Sequence, residues 1–568
     1  MSTRSLNHDS YQVQTCHRTL MEAVSILRER INACHSPLLR LPSEILQLIL
    51  AEVPELVSGN HDFNPFWLST AVDTTMLIPV LHTSRRLRAL ALSHKPLWRT
   101  IITSPRLRPI IPLVRLAHGP LVMVMPLPSR SSTIPDTGLL PVLADRVEEL
   151  HVTNIEIHHM DELRPMLALD YPVIFTLSLS GAGGWYACHQ MGALPLSTAT
   201  ATSLQSLALM DIPLLPTDLL PTLTHLALYR VVSREDNYEP VAGVLQRCPN
   251  LQSLVLDGMG RSRVDRSNTL RDVGLKCLRR VTLAGDSCTK WLSLIPYRDD
   301  GPSIQVPHLT LGYLDHDDRQ FWPFHFCRYL MDAEMVCIRA HRDTSNSDRR
   351  ISRISITAVS HQKVAHTVFN PWAARCSPPH EVEESFNLLF TGISPARELW
   401  LWCDTWEIRK YCSATQVAIS RFICLESITL IYTDTLFCRP GLSNCPQLNS
   451  PHPRCRRFVS PRLKTLVIVW HVDPATSYGK EMQMMRCQDM IEQLDTGDYT
   501  YFKHLVIRIT PGCLPNRWEQ DLEKLRTHFE TVQVEDLIAP PELPLPESSV
   551  ETRSGTCGSQ TLWKGTLW

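Results

Sequence analysis

Six-residue segments of the form L-x-x-L-x-L recur along most of this chain, and their spacing constrains the fold more than any other feature. Their first positions are Val147, Ile174, Leu204, Leu223, Leu251, Leu278, Val306, Ala333, Ile351, Ala396, Leu425, Leu463, Phe502 and Phe529. From Leu223 to Ala333 the steps are 28, 27, 28 and 27 residues. An apolar pattern at a steady step implies one supersecondary unit laid down repeatedly, each burying its leucines against its neighbours. The clearest segments are Leu204-Gln-Ser-Leu-Ala-Leu209, Leu223-Thr-His-Leu-Ala-Leu228 and Leu251-Gln-Ser-Leu-Val-Leu256. Helical stretches lie between several of them, at 241–247, 381–390 and 517–526. A strand followed by a helix, repeated, predicts an α/β solenoid over 105–537.

A period of about 20–29 residues is that of a leucine-rich repeat. These repeats are irregular. Asn154 fills the usual Asn position after the first strand, but Asp211, Arg230, Gly258 and Gly285 occupy it later, and the spacing stretches to 45 before Ala396. Residues between the buried leucines project from the opposite face of the sheet. That alternation nominates Tyr229, Asp257, Arg339, Trp400, Trp402 and Arg508 as client-binding, with His225, Arg280, Glu398 and His504 beside them. Trp400 and Trp402 either stand exposed as paired aromatic anchors or are covered by the Pro-rich stretch 371–379 folding back.

Ahead of the repeats, Val13, Leu20, Val24, Leu27 and Ile31 give residues 11–35 a helical pattern that Pro37 stops. This helix either packs beside the next domain or makes a short coiled-coil contact. A second amphipathic helix follows in Leu41-Pro-Ser-Glu-Ile-Leu-Gln-Leu-Ile-Leu-Ala-Glu-Val53, with proline where a helix start tolerates it. Ile45, Leu46, Ile49, Leu50 and Val53 form its apolar face. Residues 54–80 read as loops because of Pro54, Gly59, Pro65 and Pro79. A basic-and-apolar helix spans 81–92, and Leu97-Trp98 closes the segment. From about Ile538 the chain turns Pro-rich and then to Ser, Gly and Thr, which predicts a disordered tail.

The helix at Leu41-Pro-Ser-Glu-Ile-Leu46, the segment Asn64-Pro-Phe-Trp-Leu-Ser69 and the Leu97-Trp98 closure together resemble the F-box of fungal F-box proteins, of the mushroom-forming-fungus type. The resemblance implies a helical F-box followed by an irregular leucine-rich-repeat α/β solenoid. The expected domains are an N-terminal amphipathic helix (1–36), the F-box-like domain (37–104), the repeats (105–537) and the tail (538–568). It further implies docking on a Skp-type adaptor and, through it, a cullin–RING ubiquitin ligase. Leu41, Pro42, Ile45, Leu46 and Ile49 would contribute the first part of that surface, with Leu90 and Trp98 in the second. Each of these positions is alternatively a core residue of a small helical domain. Thr83-Ser-Arg-Arg-Leu-Arg88 and Lys95-Pro96 depart from the family pattern, and 70–80 reads as an insertion. The chain is then expected to be a substrate-receptor subunit that holds a protein client on its repeats. The alternative is a leucine-rich scaffold whose degenerate F-box no longer binds the adaptor.

Charge argues against several other classes. With 56 basic and 57 acidic residues the net charge is -1, so nothing favours nucleic acid or an anionic membrane. No apolar run approaches the roughly 20 residues of a membrane span. The 18 cysteines are scattered without a C-x-x-C pair, and the N-terminus lacks an apolar signal segment. Both point to a cytoplasmic or nuclear protein that is not secreted. Gly181-Ala-Gly-Gly184 lacks the Lys-Ser/Thr ending of a phosphate loop and reads as a turn. His158-His159 reads as a solvated loop, and Cys438, Cys445, His452 and Cys455 are too widely spaced for zinc. No catalytic constellation emerges, so neither enzymatic activity nor a cofactor or metal is expected.

Overall fold

The computed structural model describes residues 3–53, 74, 77–103, 119–128, 140–182, 192–231, 238–258, 275–284, 291, 308–314, 332–342, 351–369, 395–402, 422–432, 462–470, 494, 502–511 and 518–538. The fold is mixed α/β, with helices and a large, mostly parallel sheet. The chain divides into two compact units. One comprises Met1–Trp185 with Leu194–Ala208, the other Tyr186–Ala193 with Leu209–Trp568.

The first unit opens with α1 (Thr3–His35), which ends just ahead of Pro37. Its apolar residues are exposed rather than packed beside the next domain, which corrects one of the two expectations for this helix. Next come α2 (Ser43–Glu52), α3 (Leu77–Leu81) and α4 (Arg85–Ser93), with a 3-10 turn at Lys95–Trp98. The stretch that holds α3 was expected to be a loop because of Pro79. Proline is tolerated there because it falls in the first turn, where its missing N–H has no intrahelical acceptor. Ser84 caps α4 by accepting a hydrogen bond from the Leu87 N–H at 3.1 Å.

Four strands follow in the same unit: β1 (Thr100–Ile102), β2 (Leu121–Pro126), β3 (Val147–Ile155) and β4 (Thr176–Gly181). They pair in that order and all run parallel. Two short helices, α5 (Leu140–Leu143) and α6 (Met160–Leu167), lie between them in sequence. The chain continues through β5 (Gly192–Leu194), α7 (Thr198–Ser203), β6 (Ser206–Met210) and β7 (Leu214–Pro216).

In the second unit β8 (His225–Tyr229), β9 (Ser253–Asp257), β10 (Arg280–Ala284) and β11 (His308–Leu314) pair in sequence order, all parallel. Helix α8 (Tyr238–Gln246) lies between β8 and β9 in sequence. After β12 (Met335–Arg342), β13 (Ile351–Val359) and β14 (Val364–Phe369), the parallel order resumes. It runs through β15 (Glu398–Trp402), β16 (Ser427–Tyr432), β17 (Thr465–Trp470), β18 (His504–Ile509) and β19 (Thr531–Asp536). Helix α9 (Trp518–His528) precedes β19.

The middle three strands break the sequence order. β14, not β12, lies beside β11, and β13 runs antiparallel between β14 and β12. β12 in turn pairs parallel with β15. Ile351 therefore begins the return arm of an antiparallel excursion and is not a repeat start. The 27-residue step into Ala333 likewise does not connect neighbouring strands. Val306, Gly285, the helical stretch 381–390, Asn64–Ser69, the four-residue Cys/His set and the tail beyond Ile538 lie outside the described residues.

Elsewhere the repeat positions fall where the spacing places them. Strands β8, β9, β10, β15, β16, β17, β18 and β19 each start two residues after the expected first position. Leu223, Leu251, Ala396, Leu425 and Phe502 are fully buried at those first positions, together with the strand leucines Leu226, Leu228, Leu254 and Leu256. The variable residue after the strand is also explained. Asn154, Asp211, Arg230 and Gly258 all adopt left-handed backbone, with φ of 60°, 53°, 48° and 63°. Along the second unit this turns each residue's N–H toward the next strand. The N–H groups of Asp211, Arg230 and Gly258 donate to the carbonyls of Tyr229, Asp257 and Ala284 at 2.8, 2.7 and 3.1 Å.

Candidate functional site

Two surfaces carry the residues nominated by sequence. The first is the helical module. Leu46 and Leu50 on α2, Leu77 on α3, and Leu87 and Ala91 on α4 form its core with Leu97 and Trp98. The Trp98 indole N–H donates to the Ala91 carbonyl at 2.8 Å, which satisfies its one polar atom inside the module. Arg86 reaches from α4 to the start of α2, donating to the carbonyls of Leu39 and Leu41 and to Ser43 Oγ. Arg86 thus serves as an internal clamp.

This core separates the seven adaptor candidates. Leu46 and Trp98 are buried and present no free face, so for these two the core reading replaces the interface reading. Leu41 and Leu90 are half-buried, while Pro42, Ile45 and Ile49 are exposed. Leu48 joins the exposed group at 65% and was not singled out from sequence. Its i+3 relation to Ile45 is the signal that finds it, since both lie on one side of the helix. The outcome is a helix with two apolar faces, one packed inward and one open.

The second surface is one face of the sheet in the second unit. Following the register strand by strand places Tyr229, Asp257, Ala284, Gly312, Val368, Ser355, Arg339, Trp402, Ile431, Val469 and Arg508 in a single row. Five of the six client candidates occupy this row. Trp400 belongs to the adjacent parallel row, beside Cys337 and Thr429. Alternation along the strands therefore places these residues on one face of the sheet. Arg339 and Trp402 hold opposed register positions, and their side chains lie outside the described set.

The face changes character across the sheet. On β8 to β11, one row reads His225, Ser253, Arg280 and His308. Arg280 and desolvation together hold His225 down to about 4 and push His308 well below the usual imidazole range; for both, burial is the larger cause. Both rings are therefore neutral at pH 7. His225 Nδ1 is 2.7 Å from Thr224 Oγ1, and His366 Nδ1 in the neighbouring row is 2.8 Å from Thr357 Oγ1. At the far end of the same strands, burial raises Asp257 to about 6, against the opposing pull of Arg230 and the Gly258 N–H. Sequence reasoning reached His225, Arg280 and Asp257 but missed Ser253 and His308. Carrying the first strand position from repeat to repeat would have found both.

From β12 to β17 the same face carries an apolar cluster. Met335, Cys337, Val359, Val364, Trp400, Ile431, Val467 and Val469 form a buried cluster, with Val506 and Leu537 packed against it. Trp400 is 6% exposed, and its indole donates to Glu398 Oε1 at 2.6 Å. It does not stand free as an aromatic anchor. The strand composition explains this: Thr465-Leu-Val-Ile-Val-Trp470 is apolar nearly throughout, as strands buried on both faces are. On β18, Arg508 is half-exposed and pairs with Glu535 of β19 at 2.8 Å.

Other sequence candidates resolve simply. His159 is fully buried, and its Nδ1 accepts from the Glu156 N–H at 3.0 Å, so it caps a 3-10 turn rather than lying in a solvated loop. In the first unit Glu149 and His151 form a buried pair at 3.1 Å on β3. Among the described residues no group of three or more His, Cys, Asp or Glu is placed to hold a metal, and no helix is long and apolar enough to cross a membrane. No known family model matches the chain, and a search of curated proteins finds none similar to it.

Proposed function

We propose that this chain is a substrate-receptor subunit of a Skp–cullin–F-box type ubiquitin ligase, docking on a Skp-type adaptor through an F-box-like module and holding a protein client on its leucine-rich repeats. The observation that carries the reading is the open apolar face of α2. Ile45, Leu48 and Ile49 stand out from a module whose own core is already filled by Leu46, Leu50, Leu87 and Trp98. An apolar face left over after the core is complete is suited to a partner. The parallel sheet supports the second half of the proposal, since one face aligns the partly exposed His225, Arg280, Tyr229 and Asp257.

The test is co-purification of the full chain with a Skp-type adaptor, comparing wild type with Ile45→Asp plus Ile49→Asp. Adaptor is expected with the wild type and lost from the variant. Leu46 is left intact because a carboxylate at a buried position would unfold the module. Equal recovery from both chains overturns the proposal. A scaffold whose degenerate module binds no adaptor is the second reading, favoured by the enclosure of Leu46 and Trp98. It requires the wild type to elute monodisperse and without adaptor.

A further inference from the structure

We propose that α1 is one strand of a parallel, two-stranded coiled coil that pairs two copies of this chain. The helix runs 33 residues, about 50 Å at 1.5 Å per residue. Val13, Leu20, Val24, Leu27 and Ile31 are all exposed on it, Leu20 at 65% and Leu27 at 63%. Among the described elements, the turn at Leu38–Arg40 packs against α1. An apolar stripe of this length left in water is a surface that covers itself by association.

The spacing selects the occupant. Positions 13, 17, 20, 24, 27, 31 and 34 alternate steps of four and three, which is the seam of a coiled coil, with exposed Met21 flanking it and exposed Ile26 outside it. In that frame His17, Val24 and Ile31 take the a positions, and Val13, Leu20, Leu27 and Cys34 the d positions. β-branched residues at a with leucine at d favour two parallel strands, because their side-chain vectors fill the holes of that geometry best. Leu6 and Ser10 continue the pattern in sequence by one more heptad. Arg18 and Glu22 are exposed on the outer side, as positions facing water should be. A second copy of α1 meets every requirement of this seam, whereas an unrelated partner would need to match it by coincidence.

The cysteines report the orientation. Cys34 is an exposed free thiol at a d position, and Cys16 is an exposed free thiol beside the seam. In a parallel pair the two Cys34 side chains face one another. In an antiparallel pair the two Cys34 side chains would lie at opposite ends of the seam.

The full chain, in reducing buffer, is measured by size-exclusion chromatography with light scattering. A dimer is expected, with Leu20→Asp plus Leu27→Asp converting it to monomer. The thermal transition of the helical module and the sheet should stay unchanged, since neither residue is in their core. Oxidation with diamide is expected to give a disulfide-linked dimer that Cys34→Ser abolishes and Cys16→Ser leaves intact. A monomeric wild type, or a dimer that survives the double Asp substitution, overturns the proposal. A cross-link lost equally in both cysteine variants, or a dimer with no Cys34 cross-link, overturns the parallel arrangement.

Discussion

Gly258 and Arg230 show how far a single side chain can dictate its neighbour. A Cβ on Gly258 would lie 2.5 Å from Arg230 Cγ, and Gly258 already holds a left-handed φ. Arg230 is fixed in turn by Asp211 Oδ2 at 2.6 Å and by the Tyr229 ring at 4.5 Å. Gly258→Ala is expected to cost about 1–2 kcal/mol from backbone strain alone, with the clash added. In the Arg230→Ala background the clash component should vanish. A double-mutant cycle in urea should therefore show strong non-additivity, and additive losses would refute the coupling. This turn position was legible as a position, because it follows each strand, although Asn, Asp, Arg and Gly share no side-chain chemistry. The common factor is backbone conformation, which composition does not display.

His225 gives a residue-scale prediction with a definite sign. Its folded pKa, about 4, lies below its ordinary 6.5, so its contribution is present above pH 6.5 and is lost as pH falls toward 4. Asp257 works the other way. Its raised value of about 6 means stability declines as pH rises from about 4 to 6. Because the two oppose each other within that window, the variant comparison isolates the histidine. His225→Gln should lose less melting temperature than wild type between pH 6.5 and 4. Parallel melting curves for the two chains would exclude this role.

At the scale of elements, reading the sequence succeeded where a period was long and failed where it was short. Helix α1 was legible from its end at Pro37 and its heptad steps, and α9 from its amphipathic spacing. Helix α3 was not, because five residues containing Pro79 carry too little periodicity to outweigh the loop signal. Burial of Trp400 was legible in principle from the unbroken apolar runs of β15 to β17. The alternation rule had assumed one wet face. For α1, a polar a position lowers stability while fixing register. His17→Val is accordingly expected to tighten self-association, measured as a lower dissociation constant in sedimentation equilibrium, and weaker association would contradict the heptad assignment.

At the scale of the whole molecule, the two proposed surfaces belong to separate parts of the chain and can be tested separately. Loss of adaptor binding in Ile45→Asp plus Ile49→Asp should leave the dimer intact, and the α1 variant should still recover adaptor. The candidate client face was legible as a set of aligned positions, because parallel pairing carries each residue directly beside its counterpart. What could not be read was which strands are neighbours. A 27-residue step joins Val306 to Ala333 as smoothly as any other, yet β11 pairs with β14.

That reordering bears on how the chain acquires its structure. A strictly sequential array can add each strand to an edge that already exists. Here the edge of β11 stays open until residues 364–369 arrive, after β12 and β13 have been synthesised. β12 for its part has no parallel neighbour until 398–402 follows. Closing these pairings spans long sequence separations, which slows folding and prolongs exposure of apolar strands. Nascent chains paused between β11 and β14 would be the form most dependent on chaperones, and the most prone to aggregate.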